Sequence, residues 1–341
     1  MEQLSNFTTL KVGGPAQKIV HAHTEDELVE FVKAADKAGE KVLILGGGSN
    51  LLISDAGFAG TVIRVESKGN ALDYDACSGG MIEVSAGEDW DQFVEQTIEK
   101  GFADLESLSG IPGTVGGAPI QNIGAYGHEV SETIARVKAY DRKKGEVITF
   151  TNEQCHFSYR NSAFKEDAGR YVVLNVTFQL RKGEMSLPIT YAELANYLSV
   201  NLGDRAPIMK VRNAVLELRG RKGMLINSTD VNSNSAGSFF VNPILTKDMA
   251  DKLPADAPRW PQSDGKVKTS AAWLMEHAGV NKGEKLAGAQ ISNKHVLALT
   301  NSGDATADDI IELAKMARAK VFEKFGIKLE AEVQLVGLDL N

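Results

Sequence analysis

The chain has 341 residues, 43% of them hydrophobic and 24% charged, and its formal net charge is −8 at pH 7. This composition is ordinary for a soluble globular protein, and the length is enough for two or three domains with hydrophobic cores of their own. The acidic balance argues against nucleic acid or an anionic membrane as the main partner, because polyanions attract basic surfaces. An anionic ligand would have to be held by local backbone amides and a few placed cations.

The sequence predicts no membrane span, signal peptide or metal site. No run of about eighteen apolar residues is present, so no membrane span is predicted. Met1 leads into polar residues, which does not suit a signal peptide. Cys77 and Cys155 match no metal-ligand or redox spacing, and His21 and His23 have no third ligand in view, so no metal site is predicted. We expect a monomer in a reducing cytoplasm.

Helix and strand signals follow one another through the first hundred residues. A capping box at Thr24 and Glu27 opens a helix that ends before Gly39. Strands are expected at 41–45, 51–53, 61–65 and 81–86, and a helix at 90–100.

The remainder of the chain continues this mixture of elements. The pattern predicts a hairpin, a long strand, an amphipathic helix and a polar loop at 137–150, 171–180, 207–218 and 219–235. The last third has the pattern of a βαβ unit, with a strand at 295–300, a helix at 308–325 and a closing strand at 328–336. The predicted fold class is α+β with mixed sheets.

The segment 110–127 is the most informative part of the sequence. It holds six glycines in eighteen residues, where average usage gives about one. Helix and strand interiors do not tolerate this density, because glycine loses the most backbone entropy on ordering. The segment has no acidic side chain, and its polar groups are backbone amides with a few neutral side chains. Such a surface suits an anionic, flat ligand such as a nucleotide cofactor.

A second glycine site, 46–50, follows a predicted strand. A Rossmann fingerprint requires a third glycine where this chain has Leu51, and no Gly-Lys-Ser/Thr follows for a P-loop. Two interpretations stay open, a tight hairpin turn and a nest of backbone amides that binds an anion. The second glycine-rich loop about sixty residues on favours ligand binding.

Six short strings occur in a characteristic order: Leu45–Asn50, Ile111–Gly113, Pro119–Gly127, Phe157–Ser162, Ala236–Phe240 and Leu329–Val333. Together they closely resemble the UDP-N-acetylenolpyruvoylglucosamine reductases, also called UDP-N-acetylmuramate dehydrogenases, over nearly the whole chain. The resemblance implies a two-lobed FAD-binding domain of the vanillyl-alcohol-oxidase type, at 1–66 and 67–218, and a C-terminal α+β substrate-binding domain at 219–341. FAD would lie between the lobes without a covalent bond.

The implied reaction belongs to peptidoglycan precursor synthesis, and thus to cell-wall biogenesis, cell shape, the cell cycle and cell division. NADPH would reduce FAD, and the reduced flavin would convert the enolpyruvyl ether of a UDP-sugar to UDP-N-acetylmuramate, with hydride added at C3 and a proton at C2. Two rivals stay open, namely a sugar or alcohol oxidase with the same flavin fold, and a nucleotide sensor that keeps the fold without catalysis. Peroxide formed from a simple alcohol would favour the oxidase.

The resemblance also implies the residues that contact the ligands. FAD would contact Gly46, Gly47, Gly48, Ser49, Asn50, Ile111, Pro112, Gly113, Gly116, Gly117, Gln121, Asn122, Gly124, Ala125, Tyr126 and Gly127. The substrate would contact Tyr159, Tyr191, Lys222 and Asn242, with Tyr191 in a loop that covers the substrate in one class of the family. Val241 departs from the family, where lysine is common at that place.

Three residues match the catalytic positions of the family. Hydride addition builds negative charge next to a carboxylate, and Arg160 has the planar fork that holds such a carboxylate. Ser238 matches the proton donor to C2. Glu332 matches the carboxylate that polarises the intermediate, whereas the nearby Glu330 does not occupy the family position. Without the resemblance, each residue also fits an ordinary role as a surface ion-pair partner, a turn residue or a solvent-facing strand residue.

Overall fold

The structure is a computed structural model, and it describes residues 2–75 and 79–341. Cys77 lies outside the described residues. The strands are β1 Ala16–Ala22, β2 Val42–Leu45, β3 Leu51–Ile53, β4 Phe58–Val65, β5 Asn70–Asp75, β6 Gly79–Ser85, β7 Gly124–Ala125, β8 His128–Glu129, β9 Ile134–Asp141, β10 Glu146–Thr151, β11 Tyr171–Leu180, β12 Ser235–Ser238, β13 Ile244–Leu245, β14 Trp260–Pro261, β15 Val267–Lys268, β16 Lys285–Leu286, β17 Ala289–Ile291, β18 Ala298–Asn301 and β19 Gln334–Val336. The helices are α1 Glu25–Lys37, α2 Trp90–Glu99, α3 Ala163–Glu166, α4 Ala192–Leu198, α5 Ile208–Arg221, α6 Lys247–Asp251, α7 Ala271–His277 and α8 Ala307–Phe325. The mixture of helices with both parallel and antiparallel strands confirms the α+β prediction.

The chain divides into two compact units. The first contains residues 16–47 and 59–221, and the second contains residues 2–15, 48–58 and 222–341. The segment 48–58 belongs to the second unit because β3 pairs with β19 and because the Asp55 carboxylate accepts a hydrogen bond from the Ala307 amide. The boundaries of two lobes and a third domain, at 66/67 and 218/219, remain a prediction.

The first unit contains a three-stranded sheet of order β1-β4-β2 and a five-stranded antiparallel sheet of order β10-β9-β11-β6-β5. The long strand β11 is almost entirely buried, as its apolar run predicts. Helix α2 presents Trp90 and Phe93 to Phe178 of β11, with ring centroids 6.0 and 5.0 Å apart. The Trp90 indole also donates to the Leu108 carbonyl at 2.9 Å, which ties this core to the start of the glycine-rich segment.

The second unit contains antiparallel sheets of order β12-β18-β17-β16 and β13-β15-β14, together with the parallel pair β19-β3. Helix α8 covers this unit with a buried apolar stripe at the spacing of an amphipathic helix. It begins at Thr306 with a capping box to Asp309 and ends at Gly326, whose φ is +67°. The sequence predicts both ends of this helix.

The βαβ prediction for the last third is wrong. The strand β18 lies in an antiparallel sheet, and the closing strand β19 pairs with β3 instead of β18. A βαβ unit requires both strands in one sheet, but the distant segment 51–53 offers β19 a parallel edge. The predicted closing strand is also shorter, because residues 330–332 bond to the backbone of 239–241 before β19 begins.

Three local interpretations also change. The hairpin interpretation of 46–50 is wrong, because β2 pairs in parallel with β4 while β3 pairs with β19. Helix α5 continues to Arg221, so the predicted polar loop begins later than residue 219. At α1 the Thr24 hydroxyl accepts from the Glu27 amide, as the predicted capping box requires. The Glu27 carboxylate, however, accepts from the His23 amide instead of the Thr24 amide.

Candidate cofactor and substrate site

In the first unit the two glycine loops touch each other through backbone. A Cβ built on Gly47 would lie 2.7 Å from the Gly113 Cα, and one built on Gly46 would lie 2.5 Å from the Thr114 Oγ1. A side chain at position 47 would therefore displace the backbone of Gly113, whereas one at position 46 would require the Thr114 side chain to move. The glycine density of the sequence is explained here by close approach of two chain segments.

The turn 115–118 does not supply the row of amides that the sequence suggests. The amides of Val115 and Gly116 donate to Glu88 and Ala86, and those of Gly117 and Ala118 donate within the turn. Since these donors are used inside the protein, an anion has to be held by other groups of the loops.

Thr114 offers such a group. Its Oγ1 lies between the two loops, 2.5 Å from a Cβ built on Gly46 and 3.8 Å from one built on Gly117. This threonine is not among the residues that the sequence assigns to the site. Its position between two glycines of separate loops is a property that only the folded chain displays.

Asn122 is a buried hydrogen-bonding centre at the other end of the segment. Its side-chain amide donates to the Glu129 carboxylate at 2.7 Å and to the Ser158 carbonyl at 3.1 Å, and its side-chain oxygen accepts from the Ser131 amide at 3.1 Å. The residue is 0% exposed, and its φ is +47°. The side chain predicted to contact the cofactor is thus engaged with the protein, and it fixes the backbone of 120–124.

Arg160 is held against the same backbone. Its guanidinium donates to the Gly124 carbonyl at 2.7 Å and to the Asn122 carbonyl at 3.4 Å, and it lies 5.2 Å from the centre of the Tyr159 ring. Its backbone φ is +53°, a conformation uncommon outside glycine. The structure therefore brings two predicted substrate residues, Tyr159 and Arg160, to the predicted cofactor segment.

Tyr126 and Tyr191 meet edge to face with ring centroids 5.5 Å apart. Tyr126 is buried, and burial raises its pKa to about 12. It belongs to a separate apolar cluster with residues of α4 and α5. Tyr191 precedes α4 and is 42% exposed. Arg219 of α5 donates to the Gly110 carbonyl at 3.0 Å, so this helix contacts the segment at both ends.

Ser238 and Glu332 lie in the second unit on adjacent backbone segments. The Glu332 amide donates to the Phe239 carbonyl at 2.8 Å, and the Val241 amide donates to the Glu330 carbonyl at 3.0 Å. This pairing places Ser238 at the end of β12 near Glu332. The Asn50 side chain donates to the Glu332 carbonyl at 3.2 Å. Glu332 is partly buried whereas Glu330 is exposed, which distinguishes the predicted residue from its neighbour.

Two lysines, Lys222 and Lys282, act electrostatically on His295 in the second unit. Burial and the charges of Lys222 and Lys282 lower the pKa of His295 to about 4, so the imidazole is neutral at pH 7. Asn242 lies at the start of α7, where its side-chain oxygen accepts from the Ala271 amide at 2.9 Å. Lys282 is a further candidate, because the fold brings both its charge and that of Lys222 to bear on His295.

Most of the remaining predicted residues are partly accessible on these segments. In the first unit Ile111, Pro112, Gln121 and Ala125 are half-buried, and in the second unit Ser49 is half-buried while Gly48 is packed against the Phe7 carbonyl with a φ of +61°. Gly127 has a φ of +88° beside Thr190. Arg160, Tyr159 and Tyr191 thus lie in the first unit, and Ser238, Glu332, Lys222 and Asn242 lie in the second.

Within residues 2–75 and 79–341, no three His, Cys, Asp or Glu side chains form a group that could hold a metal ion. No helix in the same residues is long and apolar enough to cross a membrane. Gly46 and Gly47 bring the two loops together, and the Thr114 hydroxyl beside them is a donor that suits the phosphates of an anionic cofactor.

The fold, together with the two glycine loops, identifies the chain as an FAD-binding flavoprotein of the vanillyl-alcohol-oxidase type. Residues 16–151 match the sequence profile described as "FAD binding domain", and residues 229–336 match "UDP-N-acetylenolpyruvoylglucosamine reductase, C-terminal domain".

Individual proteins give the same result. The chain is 50% identical to the UDP-N-acetylenolpyruvoylglucosamine reductase of Cutibacterium acnes over 98% of this chain and 89% of that protein. It is 47% identical to the Streptomyces avermitilis enzyme of the same name over 99% and 94%. The crystal structure of UDP-N-acetylenolpyruvylglucosamine reductase from Thermus caldophilus aligns with a TM-score of 0.67 and 27% identity, over 98% of this chain and 97% of that one. The chain belongs to the UDP-N-acetylenolpyruvoylglucosamine reductase family.

Proposed function

We propose that this chain is the FAD-dependent reductase that converts UDP-N-acetylglucosamine enolpyruvate to UDP-N-acetylmuramate, with NADPH as the reductant. Bound FAD supplies the hydride that adds to C3 of the enolpyruvyl group. The observation that carries the assignment of residues is the geometry around the two proposed reacting side chains: Ser238 and Glu332 lie on paired backbone segments, with Glu332 bonded to Phe239.

Arg160 holds the substrate carboxylate. Hydride addition at C3 places negative charge on C2 and on the adjacent carboxylate, and a guanidinium stabilises this charge as it develops. The carbonyls of Asn122 and Gly124 orient the guanidinium. These two bonds hold the fork beside the cofactor segment before the substrate arrives, so little reorganisation is needed.

Ser238 donates the proton to C2, and Glu332 polarises the enolate-like intermediate. A serine hydroxyl is a weak acid and donates only to a strongly basic carbon, which hydride addition creates. The Asn50 side chain and the Phe239 carbonyl hold the backbone of Glu332 on both sides. This support limits the freedom of the carboxylate relative to Ser238.

Lysines of the second unit recognise the nucleotide part of the substrate. Lys222 and Lys282 attract the diphosphate, and the Asn242 side-chain amide donates to it. Thr114 and the glycine loops hold the pyrophosphate of FAD. Tyr191 covers the substrate, as in one class of the family.

The cellular setting of the reaction follows from its substrate. A sugar nucleotide and NADPH are small molecules of the cytoplasm, so the chain acts there, as a monomer made of two FAD lobes and a substrate domain. Loss of the reaction would deplete the precursor of the cell wall, and through it would affect cell shape and division.

The test separates the two half-reactions in an anaerobic stopped-flow instrument. Ser238→Ala is expected to leave flavin bleaching by NADPH unchanged, while reoxidation by the enolpyruvyl substrate slows about a hundredfold or more, as for loss of a general acid. Ser302→Ala, in the same unit, is the control and should change neither rate. Equal losses in both half-reactions of Ser238→Ala would refute the proton-donor role. A protein that neither contains nor takes up FAD would refute the reductase itself.

A further inference from the structure

The segment 187–191, called here the Tyr191 segment, is bonded on two sides to the cofactor-binding part of the first unit. The Leu187 amide donates to the Glu106 carboxylate at 3.2 Å, and the Pro188 carbonyl accepts from the His128 Nε2 at 3.2 Å. Glu106 precedes the glycine-rich segment, and His128 directly follows it. Two titratable side chains therefore hold the base of the segment that carries Tyr191.

The surroundings of His128 select its doubly protonated form. Its Nδ1 lies 2.9 Å from the Glu132 carboxylate, and its Nε2 faces the Pro188 carbonyl. Both partners are acceptors, and a neutral imidazole carries only one N–H, so only the imidazolium donates to both. Burial lowers the pKa of His128, but the hydrogen bond and charge of Glu132, with the Pro188 carbonyl, outweigh it and raise the pKa above its ordinary value.

We propose that His128 is a positioning residue that fastens the Tyr191 segment to the glycine-rich segment, and that its second proton sets the affinity of the enzyme for its UDP-sugar substrate. The inference rests on the proposed role of Tyr191 in covering that substrate. The charged groups that face His128 are Glu132 on its own turn and Glu106 on the 3-10 turn 106–108. Both are acidic, and each favours the imidazolium.

The direction of the pH dependence follows from this geometry. Below its pKa the His128 ring holds both Glu132 and Pro188. As the pH rises through that raised pKa, the ring loses one proton. The remaining N–H stays with the Glu132 carboxylate, so the bond to the Pro188 carbonyl is lost. The segment then loosens, so the KM for the UDP-sugar rises with pH while kcat changes little.

Two substitutions separate the bonds of the ring. Gln places a neutral donor near the position of Nε2, and Asn places one near that of Nδ1. His128→Gln should therefore keep the bond to Pro188, hold the KM near the low-pH value of the wild type, and remove its rise between pH 6 and 9. His128→Asn should keep the bond to Glu132, lose Pro188, and raise the KM about tenfold at every pH, which is about 1.4 kcal/mol. His23→Gln, at an exposed histidine, is the control and should behave like the wild type.

Amide exchange in peptides covering 187–198 gives a readout that does not depend on turnover. Exchange in the holoenzyme should speed up with His128→Asn about tenfold beyond the intrinsic rate change, and not with His128→Gln. An unchanged pH dependence of KM in His128→Gln, or unchanged exchange in His128→Asn, would overturn the proposal. Tyr191→Ala tests the underlying function separately: an unchanged KM in that variant would refute the role of Tyr191, whereas the exchange measurement still decides whether His128 fastens the segment.

Discussion

The two ends of the glycine-rich segment are built on different principles. At its first end, residues 110–117, the backbone lies close against other segments, as Gly113 does against Gly47 and Gly116 does against Ala86. At its second end, residues 121–127, the backbone is held by side chains, and two non-glycine residues, Asn122 and Tyr126, have positive φ angles. One end is thus defined by absent side chains and the other by bonded ones.

The first end therefore shapes the loops, whereas the second end orients a proposed catalytic side chain. Close backbone approach brings the two glycine loops together, but it aims no functional group. The bonded end aims Arg160, whose own positive φ adds to the strain of Asn122 and Tyr126. Such strained residues persist only where surrounding contacts determine them, and they cluster at functional sites. The comparison predicts that substitutions at the two ends fail in different ways.

The largest effect is expected at the bonded end. Asn122→Ala removes three hydrogen bonds made by a fully buried side chain and should lower the free energy of unfolding by about 3 kcal/mol, since each bond contributes about 1 kcal/mol. Urea unfolding at a fixed FAD concentration measures this. Asn161→Ala is a matched control, because Asn161 also donates to a glutamate at 2.7 Å but in an exposed position, and it should cost less than about 1 kcal/mol. Equal losses in the two variants would contradict the central role of Asn122.

At the other end the effect is steric and somewhat smaller. The Cβ of Gly47→Ala would meet the Gly113 backbone at 2.7 Å and should cost about 2 kcal/mol through overpacking. Flavin affinity should fall as well, because the two loops are forced apart. Gly117→Ala meets its nearest atom, the Thr114 Oγ1, at 3.8 Å, so its unfolding free energy should stay within about 0.5 kcal/mol of the wild type. If both variants unfold alike, close approach is not the reason for these glycines.

The smallest effect concerns the pH dependence of the bonded end. Burial raises the pKa of Tyr126 to about 12, above its unfolded value of about 10, so its contribution to stability is present below pH 10 and is lost as the pH rises toward 12. Tyr126→Phe keeps the ring against Tyr191 and removes the titration. Urea unfolding at pH 8 and pH 11 should show a shallower alkaline loss in this variant. An identical slope would place the titration elsewhere.

The sequence was most informative where a local pattern has a single structural meaning. The apolar run of β11, the capped helix α8 and the glycine density all predict features that the structure contains. The order of short strings also indicates the family to which the chain belongs. In contrast, the pairing of β19 with β3 could not be predicted, because strand partners far apart in sequence leave no periodic signal.

The same division holds within the site. Local composition indicated a surface for an anionic, flat ligand. The resemblance carried by the order of the motifs indicated that this ligand is FAD and that Arg160, Ser238 and Glu332 are the catalytic candidates. Only the tertiary structure decided that the Asn122 side chain bonds to the protein, that Lys222 and Lys282 both act on His295, and that His128 reaches Pro188. The physical reason is that backbone preferences act over a few neighbouring residues, whereas hydrogen bonds and charges act between groups that the folded chain brings together from distant positions.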